Sequence, residues 1–407
     1  MMLTAQGVHC LRAALAALAC TGAAAFAAEC DNVNVGLAPI NDLGAGAYLG
    51  FQGGLYPNGL NIMPPPHHAA GVSAALGIVP RGLGGAPNPA GKIVLLSIGM
   101  SNTTQEYCGG PPTGCAGYSF VGQAVAHPAV NHTSLVLVDG ARGGQTAGTW
   151  TDPNAPNYNR IRDEVLPVLG VTEAQVQAAW VKVANAGPTV GLPAPNSDAF
   201  ALLAQLGDIV RALKARYPNL RVAFISSRIY AGYASTPLNP EPFAYESAFA
   251  VKWVIAAQIQ QMQTGEIDPI AGDLDHSTAA PWIAWGAYLW ADGLAPRSDG
   301  LVWQCSDLAN DGTHPSVAGR QKAGRLLLNF MLASPHARPW FTNPAVFCPA
   351  DLDGSGALGQ GDLGLLLADF GCSSGTGMCP GDINGDGRTN QADLGILLGS
   401  FGAVCGR

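Results

Sequence analysis

Ser101 lies just past an apolar run, in Lys92-Ile-Val-Leu-Leu-Ser-Ile98-Gly99-Met100-Ser101-Asn102. A serine at such a strand end has free backbone N–H groups beside it and is well placed for nucleophilic attack. The segment is not a G-x-S-x-G elbow, so the α/β-hydrolase signature is missing. A second stretch, Asp311-Gly-Thr-His314-Pro315-Ser316, sets a carboxylate and an imidazole three residues apart. On one turn, that spacing lets Asp311 hold Nδ1–H of His314 and leaves Nε2 to take a proton from a serine. More than two hundred residues separate Ser101 from His314, so only a fold can join them.

The elements needed to do this are legible as alternation. Residues 92–98, Ser134-Leu-Val-Leu-Val138, Val176 to Val183 and Leu220-Arg-Val-Ala-Phe-Ile-Ser226 are short apolar runs that suit buried parallel strands. Each ends in Gly, Ser, Asn or Asp. Phe200 to Tyr217 and Ala248 to Met262 have helical spacing. Strands alternating with helices predict a three-layer α/β/α domain with a parallel sheet of about five strands. Ligands bind such sheets at the carboxyl ends of the strands. Residues 31–90, rich in Gly, Pro and Asn, read as an irregular N-terminal layer.

Together these blocks resemble the SGNH (GDSL-like) hydrolases, which have a flavodoxin-like sheet. The resemblance spans about Ile93 to Leu327. Gly99-Met100-Ser101-Asn102 is similar to the Gly-Gln-Ser-Asn version in carbohydrate acetylesterases of the sialate O-acetylesterase type. It implies a Ser101–His314–Asp311 triad and an oxyanion hole made of the Ser101 N–H, a Gly N–H and an Asn side chain. Gly144, before Gln145-Thr146, matches the Gly. Asn185 matches the Asn of the family's Gly-x-Asn-Asp block, although the leading Gly and trailing Asp are absent here. The expected activity is hydrolysis of an ester, with O-acetyl groups on a carbohydrate favoured and no cofactor for the chemistry. Two alternatives stand beside it: a non-catalytic carbohydrate-binding or surface protein with this fold, and a lipase or peptidase using the same three residues.

The last sixty residues repeat. Asp351-Leu-Asp353-Gly-Ser355-Gly356 and Asp382-Ile-Asn384-Gly-Asp386-Gly387 begin 31 residues apart, and Asp362 and Asp393 close the two loops at position 12. Oxygen donors at positions 1, 3, 5 and 12 with Gly at 6 suit the calcium loop of an EF-hand. The expected ligands are Asp351, Asp353, Ser355, Ala357 and Asp362 in the first loop. In the second they are Asp382, Asn384, Asp386, Arg388, Asn390 and Asp393, with Ala357 and Arg388 acting through their carbonyls. Asp at position 12 and a single following helix per loop resemble a type I dockerin. That resemblance implies two structural Ca²⁺ ions and a cohesin-like or cell-surface partner. Gln360-Gly361 and Gln391-Ala392 occupy the partner-reading positions.

Residues 1–27 read as a secretory signal: Leu11 to Ala28 is almost unbroken apolar sequence ending in Ala25-Phe26-Ala27. A retained membrane anchor is the alternative. The remaining organisation is a domain over 28–334, a linker over 335–347 and a calcium module over 348–407. The eight cysteines outside the signal suggest disulfides in an exported chain. Cys108–Cys115 is the easiest pair, and Cys30 and Cys305 are left for each other. In the module, Cys348–Cys372 with Cys379–Cys405 is the simplest pairing, and Cys372–Cys379 is its rival. A net charge of −8 with 12% charged residues argues against a nucleic-acid partner. Asp139 and Arg142 read as a local salt link, with substrate contact as the alternative, and His67-His68 and His276 as solvated loop residues, with metal ligation as the alternative. Trp282, Trp285, Tyr288 and Trp290 have helical spacing that suggests core packing, with a carbohydrate groove as the alternative.

Overall fold

Continuous apolar runs become strands that are covered on both faces. The computed structural model describes residues 27–343, 349–353, 355–373, 379–384 and 387–405. Among them, β1 (Ile93–Gly99), β2 (Leu135–Asp139), β3 (Val176–Lys182), β4 (Val222–Ile225) and β5 (Trp282–Trp285) form one parallel sheet. Every residue of β1, β3, β4 and β5 is buried. The spatial order is β2-β1-β3-β4-β5. The chain therefore steps outward from β1 in one direction to β2, then returns past β1 to β3 and continues the other way. Right-handed crossovers taken in opposite directions place their helices on opposite faces. Between β1 and β3 a crevice opens where the order reverses, and α/β sheets bind ligands there.

The helices follow that division. On one side α2 (Ser101–Tyr107) and α3 (Phe120–Ala126) pack with α6 (Val317–Ala333). Elsewhere α4 (Asp198–Arg216) packs on α5 (Phe243–Thr264). The N-terminal layer is more regular than its composition suggests. It holds a short hairpin of Ala47–Tyr48 with Phe51–Gln52, and α1 (Pro65–Leu76), which starts on prolines that cost nothing where no N–H partner exists.

Three sequence expectations need correction. Trp282–Trp285 is the fifth strand and not a helix: four residues are too few for periodicity to separate the two. Trp282, Trp285, Tyr288 and Trp290 are nonetheless buried, as core packing requires, so they line no groove. His67 is not in a solvated loop. It is buried on α1, donates from Nε2 to Ile283 O at 2.9 Å and stacks on Trp282. His68 Nδ1 lies 3.1 Å from Nε2 of buried His336. The linker, finally, does not begin at 335: Trp340 and Phe341 are buried in the main core, and Asn343 N donates to Ala129 O at 2.8 Å.

Cys30–Cys305 and Cys108–Cys115 are disulfides. In the C-terminal segment the rival pairing is the one formed, Cys372–Cys379 across the connector, and Cys405 is also disulfide-bonded. Cys348 lies outside the described residues. Helices α7 (Gln360–Ala368) and α8 (Gln391–Gly399) have a small core of their own, in which Leu366 and Leu397 occupy equivalent positions of the repeat. No helix among the described residues is long and apolar enough to cross a membrane.

Candidate active site

The crevice beside β1 and β3 is built on a close backbone approach. A Cβ on Gly99 would lie 2.2 Å from Lys182 O and 2.3 Å from Thr103 Oγ1, so β1 can end against β3 only with glycine there. Helix α2 then begins at Ser101 itself, and the first N–H groups of a helix have no partner within it. Two side chains fix α2 in place. Thr103 Oγ1 donates to Lys182 O at 2.6 Å, and buried Asn102 Nδ2 donates to Thr313 O at 3.1 Å. Beneath them Lys182 and Glu106 form a buried ion pair. Burial lowers the Lys182 ammonium to about 8, although Glu106 pulls the other way.

The Asp311–His314 turn does what its spacing allows. Asp311 Oδ1 accepts the backbone N–H of Thr313 and of His314, each at 3.0 Å, and Oδ2 lies 2.6 Å from His314 Nδ1. Because a carboxylate only accepts, the imidazole proton sits on Nδ1. Nε2 is then an acceptor, 2.8 Å from Ser101 Oγ. Burial pushes the Asp311 carboxyl upward. The hydrogen bonds from the His314 side chain and from the His314 and Thr313 backbones outweigh it and hold the group below the usual carboxylate range.

Gly144 and Asn185 line the same cavity as Ser101 and His314, a space of about 290 Å³. The structure thus gathers the expected residues from four separate segments. A larger cavity of about 430 Å³ lies against Val121, Val125 and the edge strand β2, and none of these residues reaches it. Sequence reasoning passed over Arg228, Leu238, Asn239 and Thr313, which also line the Ser101 cavity. Arg228 follows β4 as Ser101 follows β1, a signal that could have found it. Its guanidinium is buried, with Nε and Nη2 lacking a hydrogen-bond partner.

Asp139 and Arg142 do not form the expected salt link. Asp139 is buried and accepts from Ser97 Oγ at 2.6 Å, Thr104 Oγ1 at 2.5 Å and Ala141 N at 3.2 Å, while Arg142 is exposed. Burial raises the Asp139 carboxyl to about 6 against the pull of those bonds.

In the C-terminal repeat, carboxylate oxygens of Asp351, Asp353 and Asp362 lie within 4.8 Å of one another. Asp362 is buried and accepts Asp353 N and Gly359 N, while Asp351 Oδ1 is buried with no partner. Asp393 plays the same part in the second loop, accepting Ile383 N, Asn384 N and Asn390 N. Gly356 and Gly387 turn with φ of 78° and 84°, a left-handed backbone that a side chain would strain. Ser355 Oγ donates to Ala357 O at 3.1 Å. Asp386 lies outside the described residues. An orphaned carboxylate oxygen within a three-carboxylate loop fits a hard cation.

Fold and site together define a class: a parallel α/β protein with a Ser–His–Asp relay at the switch point of its sheet. No family model matches the sequence, and no curated protein does. Among solved structures, an extracellular lipase from Streptomyces rimosus is 15% identical over 58% of this chain and 98% of that one, with a TM-score of 0.30. A salicylyl-acyltransferase from a tetracycline biosynthetic pathway is 15% identical, covering 61% of this chain and 56% of that one at 0.32. A carbohydrate esterase family 2 enzyme with a carbohydrate-binding domain, from Corynascus thermopiles, is 13% identical, covering 61% and 68% at 0.32.

Proposed function

We propose that the protein is an exported serine esterase, with O-acetyl groups on a carbohydrate as its substrate. The observation that carries this reading is the unbroken relay of 2.8 Å from Ser101 Oγ to His314 Nε2 and 2.6 Å from His314 Nδ1 to Asp311. Ser101 attacks the acyl carbonyl as His314 takes its proton, and Asp311 holds the resulting imidazolium. The Ser101 N–H, the Gly144 N–H and the Asn185 side chain stabilise the tetrahedral oxyanion. His314 then gives the proton to the departing alkoxide, and water releases the acyl group by the same route in reverse. Disulfides at Cys30–Cys305 and Cys108–Cys115 support export to an oxidising compartment.

In the same reading the C-terminal repeat is a dockerin-like module for a cohesin-like or surface partner. It would hold two structural calcium ions through the loop residues from Asp351 to Asp362 and from Asp382 to Asp393. The test is a panel of acetylated sugars, lipid esters and peptides assayed with the wild type and Ser101→Ala. Serine-dependent release of acetate from the sugars alone is expected. Turnover confined to lipid esters or peptides would replace the substrate assignment, and no turnover of any of them would leave a binding protein.

A further inference from the structure

Asn185 carries an amide whose two ends differ by nothing in shape: one offers two N–H donors, the other an oxygen acceptor. An oxyanion hole works only if the donor end faces the cavity; the acceptor end would repel the developing negative charge. Something must decide between the two orientations. Asn185 Nδ2 donates to Asp198 Oδ1 at 3.0 Å, and Asp198 is the first residue of α4. An ionised carboxylate has no hydrogen to give, so this neighbour admits the amide in one orientation only. One N–H is spent on Asp198, which leaves the second for the cavity that Asn185 lines together with Ser101 and Gly144. The Asn185 backbone is pinned separately, since Asn239 Nδ2 donates to Asn185 O at 3.1 Å. The amide is thus free to turn only about its own side-chain bonds, and Asp198 removes that freedom.

We propose that Asp198 is a positioning residue that sets the orientation of the Asn185 amide and so assembles the oxyanion hole. The assignment rests on the esterase reading above. Asn185 is followed by Ala186, and the carboxylate bonded to its amide comes from thirteen residues further on, at a helix start. Burial raises the Asp198 carboxyl, and the bond from Asn185 opposes that shift, so the two side chains support each other's donor and acceptor roles. The role parallels that of Asp311, which fixes the tautomer of His314 as Asp198 fixes the amide of Asn185.

A double-mutant cycle tests this on the full chain with a simple acetyl ester. Asn185→Ala is expected to lower kcat about 10²-fold. Asp198→Ala should lower kcat roughly tenfold with KM unchanged, because only the transition state carries the oxyanion. In the Asn185→Ala background, Asp198→Ala should cost less than about twofold, since no amide is left to orient. Asp198→Asn keeps the shape and one acceptor oxygen, so it should fall between wild type and Asp198→Ala, and it carries the same cycle if the alanine variant does not fold. An equal loss in both backgrounds, a rise in KM with kcat intact, or no effect of Asp198→Ala overturns the assignment. Failure of the esterase reading is seen separately, as activity that survives Ser101→Ala.

Discussion

Asn102 Nδ2 donates to Thr313 O at 3.1 Å, a bond between the residue after the proposed nucleophile and the residue before the proposed base. Their chain positions are 211 apart. The bond spans the gap that local sequence cannot close, and it is buried, so its loss leaves a carbonyl without a partner. Asn102→Ala is expected to destabilise the domain by about 1–3 kcal/mol. It should also lower kcat by 10-fold or more through misplacement of Ser101 against His314. Thermal unfolding and steady-state kinetics on one preparation check both.

The relay itself gives a sharper expectation. Ser101→Ala and His314→Ala should each reduce ester hydrolysis by roughly 10⁴-fold or more without loss of fold, and the double variant should be little worse than either. Residual rates that multiply would mean the two residues do not act as one unit.

Protonation of the buried histidines should work against the fold in acid. Burial lowers His67 from 6.5 to about 4 and His336 to about 3. A depressed folded value means that the unfolded chain binds the proton first, so this contribution is complete above pH 6.5 and is lost as pH falls toward 4 and then 3. For His67 the full loss is on the order of 3 kcal/mol. The two rings repel each other when charged, so the losses do not simply add. Asp139 runs the other way: raised from 3.8 to about 6, it stabilises most below 3.8 and less as pH climbs through 6. Denaturant unfolding between pH 3 and 7 should therefore show a shallow slope in wild type and a steeper one in Asp139→Asn. A pH-independent stability of Asp139→Asn over this range would contradict the burial of both histidines.

Chelation should separate the two parts of the chain. Removing the calcium proposed for the C-terminal loops is expected to loosen residues 348–405 while ester hydrolysis persists, because Ser101, His314 and Asp311 lie wholly upstream. Calorimetric titration should find two sites. The second should be the tighter, with Asp386 in place of Ser355 at position 5 and Asn390 in place of Gly359 at position 9. Fewer than two sites, or activity lost on chelation alone, would count against this division.

Much of the architecture is legible in the sequence, for local reasons. A strand buried in a parallel sheet is mostly apolar, and residues 92–98, 134–138, 176–183 and 220–226 are predominantly so; β1 to β4 fall within a residue or two of them. The Asp311–His314 pair and the oxygen spacing of the two C-terminal loops are short-range geometry, written in one turn of chain. What the sequence could not determine is contact between distant segments. Sheet order decides that β1 and β3 are neighbours, and therefore that Ser101 and Asn185 share a cavity with His314. Tertiary packing, not local pattern, buried His67, made Trp282–Trp285 a core strand and placed Trp340 and Phe341 in the main core. Asp198 shows the same limit: a carboxylate thirteen residues past Asn185 has no meaning in sequence, and acquires one only when the start of α4 is folded back against the end of β3. Hydrophobic pattern and turn chemistry act over a few residues, whereas strand pairing and side-chain partners are selected by the packing of the whole core.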